Sequence, residues 1–282
     1  MREKALEAFR SYTDLYNTDD VKIKLKIDHT YRVASIAEQI ARSNEVNMDD
    51  YSVDFCWLLG LLHDIGRFEQ LTQYGTFIDR DSIDHAELGA DILFSSASSS
   101  ASDGDVTGTQ PLINTFIDPS CWTDPEDTNI DWNDMASIAE VAIRLHNKLV
   151  LPKDLDPATR MFANILRDAD KCDIMRVLIE PPYDERNKAI IRGSKDHTMG
   201  PARDDVMQCV LDHRCVPKTF ERTDFESLIS QCCMCFELCF PESIRIVRHQ
   251  GYLDTLMNLE VADEEMKQQL GTLRFEMAKV WN

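Results

Sequence analysis

The run Phe55-Cys56-Trp57-Leu58-Leu59-Gly60-Leu61-Leu62 is apolar almost all round and leads straight into His63-Asp64. A segment with no polar face to offer water has to be a buried helix. It then delivers an imidazole and a carboxylate side by side into the interior. Burying both is costly unless each is paired or coordinated. Imidazole nitrogen and carboxylate oxygen together suit zinc, manganese or iron. Whatever this chain folds into must bring further polar groups to the end of that helix.

Helical spacing dominates the rest of the sequence. Val33, Ile36, Ala37 and Ile40 form one apolar stripe, and Phe55, Leu58, Leu59 and Leu62 a second. Met135, Ile138, Ala142 and Leu145 form a third, and Phe162, Ile165, Leu166 and Ala169 a fourth. Each follows the i, i+3, i+4, i+7 rule of a helix with one buried face. Sustained period-2 alternation is absent, so the expected class is all-α, a helical bundle without a sheet. The first 17 residues have charges spaced through them and no apolar h-region, which predicts an amphipathic helix and not a signal peptide. No run of about 18 apolar residues offers a membrane span. Nine cysteines without a secretory signal point to free thiols in a reducing, cytoplasmic setting.

One stretch breaks the helical order. From Ser95 the chain reads SSASSSASDGDVTG and continues through Pro111, Pro119 and Pro125. Residues 95–133 are therefore expected to be a loop insertion between two helices, either a lid or a disordered linker. The segment from Glu180 to Pro201 is also loop-like. After it, helices are expected over 203–213, 223–240, 242–249 and 261–280. The expected organisation is a core over 1–180 and a helical extension over 181–282 packed on it.

Other polar residues sit where this bundle could use them. His29 is expected to open a helix over Thr30–Arg42, and His85 begins one in Asp84-His85-Ala86-Glu87. His146 follows Ala142 by four and Ile143 by three, so it faces inward. Asp170 follows Leu166 by four on another strongly striped helix. Polar groups contributed one by one from different helices are how bundles build metal sites.

The order His29, His63-Asp64, Asp170 resembles the HD superfamily of metal-dependent phosphohydrolases, named for the adjacent His-Asp pair. His85 and His146, which fall between that pair and the last Asp, resemble the extra ligands of its binuclear members. The resemblance covers about residues 25–175 and includes the strings HDIGR and DADK. It implies an HD-domain helical core with two divalent ions (Mn, Fe, Zn, Ni or Mg). One ion would take His29, His63, Asp64 and Asp170. The other would take His85 and His146, with Asp64 shared between them. The implied reaction is hydrolysis of a phosphate ester, either a monoester or a diester, with nucleotides among the candidates, by water that the metals activate. Asp64 and Arg67 would be the catalytic residues. Arg67, one turn past the pair, is the first choice to meet the phosphate, followed by Lys148, then Arg32 and Lys171. Arg67 could instead pair with Glu69 or Asp64, and Arg32 could simply hold Asp168.

Two rival readings use the same ligands. One is a diiron oxygenase resembling myo-inositol oxygenase, because iron and manganese accept the same donors. The other is a non-catalytic, metal-stabilised scaffold or regulatory module. His29-Thr30-Tyr31-Arg32 and HDIGR also resemble the HD-GYP branch. That branch has Lys where Arg67 stands, together with paired histidines and a Gly-Tyr-Pro signature. Neither of these occurs here, since Gly251-Tyr252-Leu253 lies far downstream and lacks the Pro. Cyclic di-GMP is therefore not assumed.

Net charge is −20 and the pI is near 4.7. Such a surface repels phosphate backbones, so general nucleic-acid binding is disfavoured. A small phosphorylated substrate is not excluded, because bound metal ions reverse the field locally. Cys232, Cys235 and Cys239 fall at i, i+3, i+7 and are expected to share one face of one helix as core, with an oligomer face or a metal site as the alternatives. Homo-oligomerisation stays open. His197, His213 and His249 are expected to be ordinary surface or satisfied residues.

Overall fold

The computed structural model describes residues 2–95, 111–117, 132–180, 200–217 and 222–281. Every regular element among them is helical, and no strand occurs among the described residues. The all-α expectation holds. The chain forms two compact units, one of Met1–Arg42 with Met48–Arg167, the other of Ser43–Asn47 with Asp168–Asn282.

The first unit contains α1 (Arg2–Thr13), α2 (Val21–Arg42), α3 (Asp50–Leu62), α4 (Ile65–Tyr74), α5 (His85–Phe94), α6 (Ile113–Phe116) and α7 (Trp132–Leu145), and the N-terminal half of α8 (Pro157–Ile179). A 3-10 turn over Asp79–Asp81 lies between α4 and α5. The apolar run forms α3, started by Asp49, whose side chain accepts the Ser52 N–H. Phe55, Leu58, Leu59, Leu61 and Leu62 are all fully buried. Each such side chain stabilises the fold by roughly 1.5–3 kcal/mol. Phe55 meets Phe162 of α8 edge to face at 4.9 Å. Phe9 of α1 packs in the same manner on Tyr31 and Phe68.

Two expectations are corrected in this unit. His29 does not open a helix. It lies inside α2, which begins at Val21. The segment Val21-Lys22-Ile23-Lys24-Leu25-Lys26-Ile27 alternates apolar and basic residues, which hides its helical face from a period count. The expected loop of 95–133 is also not all loop. Ile113–Phe116 forms a helical turn with Ile113, Phe116 and Ile117 buried, and Lys4 donates to the Ile117 carbonyl at 3.0 Å. Four apolar residues (Leu112, Ile113, Phe116, Ile117) at helical spacing give that turn a face to bury. The rest of the insertion, residues 96–110 and 118–131, lies outside the described residues.

The second unit contains the C-terminal half of α8, α9 (Asp204–Leu211), α10 (Asp224–Cys233), a 3-10 turn over Met234–Glu237, α11 (Pro241–Gln250), α12 (Tyr252–Met257) and α13 (Glu264–Trp281). Thr223 and Glu226 form a capping box at the start of α10. Arg176 holds Asp173 through two 2.8 Å bonds in the interior. The helix expected over 223–240 stops early. Cys239 is exposed beyond it, so Cys232, Cys235 and Cys239 do not share one helix face. The cause is a competing partner: the N–H groups of Cys239 and Phe240 donate to Asp168 at 2.8 and 3.1 Å instead of continuing a helix.

Helices α2 and α3 touch backbone to backbone at Gly60, where a Cβ would lie 2.6 Å from the Ala34 Cα. Gly60→Ala must push the two helices apart, at a cost of about 1–3 kcal/mol. Thermal unfolding followed by circular dichroism should show a melting temperature several degrees lower. An unchanged value would mean that the helices are not packed this tightly.

Candidate metal centre

His63 and Asp64 form the whole joint between α3 and α4. His63 ends α3 with its N–H on the Leu59 carbonyl. Asp64 takes the N-cap position of α4, yet its side chain makes no capping bond. An Asp at that position ordinarily accepts from the first turn of its helix. Here the carboxylate is turned into the interior, and both His63 and Asp64 are buried.

The two oxygens of Asp64 face different partners. Oδ2 lies 3.6 Å from His29 Nε2 and 3.6 Å from His63 Nε2, with Lys26 Nζ at 2.7 Å. Oδ1 lies 3.5 Å from His85 Nε2, 3.8 Å from His146 Nε2 and 3.5 Å from Arg67 Nε. Four imidazoles thus surround one carboxylate in two pairs. Their rings run edge to face from His29 to His63 to His146 to His85, with centroids 4.9–5.3 Å apart. Burial works to raise the Asp64 carboxyl, but the positive charges of Lys26 and Arg67, with the neighbouring His63 and His85 imidazoles, outweigh it and hold it well below the usual carboxylate range.

The outward nitrogens fix which way the rings present themselves. His63 Nδ1 lies 2.8 Å from the Gly60 carbonyl, and His146 Nδ1 lies 2.7 Å from the Ile143 carbonyl. A carbonyl can only accept, so Nδ1 carries the proton and the Nε2 lone pair turns to the cluster. His85 Nδ1 is held at 2.8 Å by both oxygens of Asp79. Burial, together with the Arg67 charge, lowers the His85 pKa to about 3, so its Nε2 is a bare donor at neutral pH. His85 Nε2 and His146 Nε2 lie only 3.0 Å apart. Two lone pairs at that distance repel unless a positive charge, a proton or a metal ion, is shared between them. The cluster therefore has the chemistry of a cation site. His63, Asp64 and His146 can each bring one ligand atom within 4.8 Å of the others, and so can Asp79, Asp84 and His85.

Asp79 escaped the sequence reading. It lies in the 3-10 turn before α5, with no periodic pattern to mark it. Besides His85 it receives Arg67 at 2.9 Å, Gln70 at 3.0 Å and Asn147 at 3.3 Å. Burial works to raise it, but the hydrogen bond from His85 and the Arg67 charge hold it well below the usual range. Lys26 was missed as well, although its place three residues before His29 puts it on the same face of α2. Gly66 provides the close approach that seats His85. A Cβ there would lie 2.4 Å from the His85 carbonyl oxygen and 2.6 Å from the Gly89 nitrogen.

The expected substrate residues divide. Arg67 sits at the cluster, paired with Asp79 and bonded to the Phe77 carbonyl at 2.6 Å, not with Glu69, which receives Tyr16 and Gln73. Lys148 lies two residues past His146, beyond the end of α7, with Nζ 2.6 Å from Asp84. Arg32 is exposed on α2, and Asp168 is held by the backbone of Cys239 and Phe240. Lys171 is buried in the second unit beside Glu237. Asp170 is half-buried on α8, one turn beyond Arg167.

The described cysteines stay apart from this chemistry. Burial pushes the Cys215 and Cys235 thiols up to about 12, so they are uncharged at neutral pH. Among the described residues, no group of three donors close enough to hold a metal includes a cysteine. The buried ones pack as small hydrophobes.

Replacing Asp79 with Asn should weaken metal binding about 10–100-fold, because the carboxylate orients His85 and raises its basicity. Competition with a calibrated chelator would measure this, and equal affinity in the variant would remove Asp79 from the site.

No curated protein and no solved structure gives a match to this chain. Residues 27–113, which carry His29, His63, Asp64 and His85, match the family model described as HD domain.

Proposed function

We propose that this protein is a metal-dependent phosphohydrolase, cleaving a phosphate ester at a two-metal site in its HD domain. The observation that carries the reading is the division of Asp64: each carboxylate oxygen has its own pair of imidazole nitrogens within 3.8 Å. A single carboxylate between two imidazole pairs is suited to hold two cations. His29, His63 and Asp64 Oδ2 would hold one ion. His85, His146 and Asp64 Oδ1 would hold the other. A divalent pair supplies a nucleophile from water at neutral pH and offsets phosphoryl charge.

The chain's own residues do the rest. Asp79 keeps the proton on His85 Nδ1, so that Nε2 stays available. Asp79 and the Phe77 carbonyl hold one nitrogen of the Arg67 guanidinium. That anchoring gives Arg67 a defined direction from which to meet a phosphate oxygen, at little further cost in side-chain entropy. Lys148, a third exposed and tied to Asp84, offers a second cation at the more accessible side. The HD-domain match supports the reading, and so does the cationic set of Lys26, Arg67 and Lys148 in a chain of net charge −20.

The test combines metal content of anaerobically purified protein with phosphate release and O₂ uptake over a panel of phosphate esters. Asp64→Ala should lose most of its bound metal, and phosphate release should fall by on the order of 10³-fold or more. Two irons with substrate-dependent O₂ uptake and no ester cleavage would move the protein to the oxygenase reading. Full metal content in the variant would sink the assignment of Asp64.

A further inference from the structure

Lys26 occupies an unusual place beside this cluster. Helix α2 puts Lys22, Lys26 and His29 at i, i+4, i+7, a basic stripe leading to the buried histidine. The Lys26 ammonium lies 2.7 Å from Asp64 Oδ2, the same oxygen that faces His29 and His63. Its side chain is 15% exposed where Asp64 is 3% exposed, so it stands between the buried donors and solvent. Phe77 flanks it, with the Lys26 ammonium 5.5 Å from the ring centroid and the Arg67 guanidinium 5.8 Å from the same centroid. Two cations therefore share one aromatic ring at the edge of the site.

We propose that Lys26 is a movable counter-ion: it neutralises Asp64 until a metal ion takes that oxygen, and then turns outward to bind the substrate's phosphate together with Arg67. The inference rests on the phosphohydrolase reading. An ammonium and a divalent ion cannot both sit at contact distance from Oδ2 without strong repulsion. The lysine stem is flexible and its head is a compact point charge with three donors, so it can leave the carboxylate without any change in α2. Outward of Oδ2 it stays beside Phe77 and Arg67. A substrate anion approaching a chain of net charge −20 meets repulsion over most of the surface, and a pair of cations beside the cluster offsets it. Before the metal binds, the same ammonium offsets the cost of a buried carboxylate.

The experiment is a titration of chelator-stripped protein with Mn²⁺, for the natural chain, Lys26→Met and Lys26→Arg. It is followed by binding of inorganic phosphate to each Mn²⁺-loaded protein. Loss of the competing charge should tighten the first Mn²⁺ in Lys26→Met by about tenfold, and loss of a charge-assisted contact should weaken phosphate by about tenfold or more. Lys26→Arg should keep most of the phosphate affinity. If Lys26→Met does not fold, Lys26→Gln gives the same two readouts. Equal or weaker Mn²⁺ binding in the neutral variant overturns the counter-ion role, and unchanged phosphate affinity overturns the phosphate role, with the metal centre intact in both cases. A natural chain that binds no Mn²⁺, Fe²⁺ or Zn²⁺ would instead overturn the phosphohydrolase reading itself.

Discussion

A single buried carboxylate organises the first unit. Asp64 sits where α3 stops and α4 starts, and its side chain does not cap the helix it precedes. It turns inward between His29 and His63 on one side and His85 and His146 on the other. A lone carboxylate at that depth would protonate to escape desolvation. Lys26 and Arg67, one at each oxygen, keep it ionised. The four histidines then have a negative charge to gather around, and the helices that carry them have a reason to converge.

That convergence depends on backbone contacts as much as on charge. Gly60 lets α2 and α3 approach until Ala34 blocks any side chain, which brings His29 and His63 to the same carboxylate. Gly66 does the same for α4 and the start of α5, which brings in His85. Around these contacts the apolar side chains of α3 supply the burial that offsets a polar interior. The outer ring of acceptors (the Gly60 and Ile143 carbonyls and Asp79) fixes each imidazole so that its second nitrogen faces inward. Asp79 also joins Arg67 to His85, so the group suited to meet a phosphate and the group suited to hold a metal share one anchor.

The second unit is organised by different means. Its cysteines are mostly buried, and desolvation keeps the buried thiols from ionising, so they fill space. Its polar interior is closed by local pairs, such as Arg176 with Asp173 and the Thr223–Glu226 box. Asp168 spends its carboxylate on the backbone of Cys239 and Phe240, which ends the helical path there and redirects the chain into α11.

Much of this was legible in the residues alone. The helical class followed from the spacing of apolar side chains, because a helix face must bury itself every three to four residues whatever it packs against. The buried state of His63 and Asp64 followed from the run before them, which leaves a helix no wet side. His29, His85 and His146 could be named because each sits on or beside a striped helix. Other features depended on contacts between segments distant in sequence. The start of α2 at Val21 was hidden by lysines that alternate with apolar residues and mask the helical spacing. Ile113–Phe116 was hidden inside a segment read as loop, since four residues are too few for a period to register. Lys26 and Asp79 carry no motif, and what they do depends on which carboxylate or imidazole lies opposite. Arg67 could be placed beside the site from the sequence, but its partner could not, because Asp79 is twelve residues away and reaches it only once the turn after α4 has folded back. Composition and periodicity thus determined which residues would be inside and on helices. The tertiary structure decided which oxygen of Asp64 meets which histidines, because that pairing depends on how closely two glycines let their helices approach.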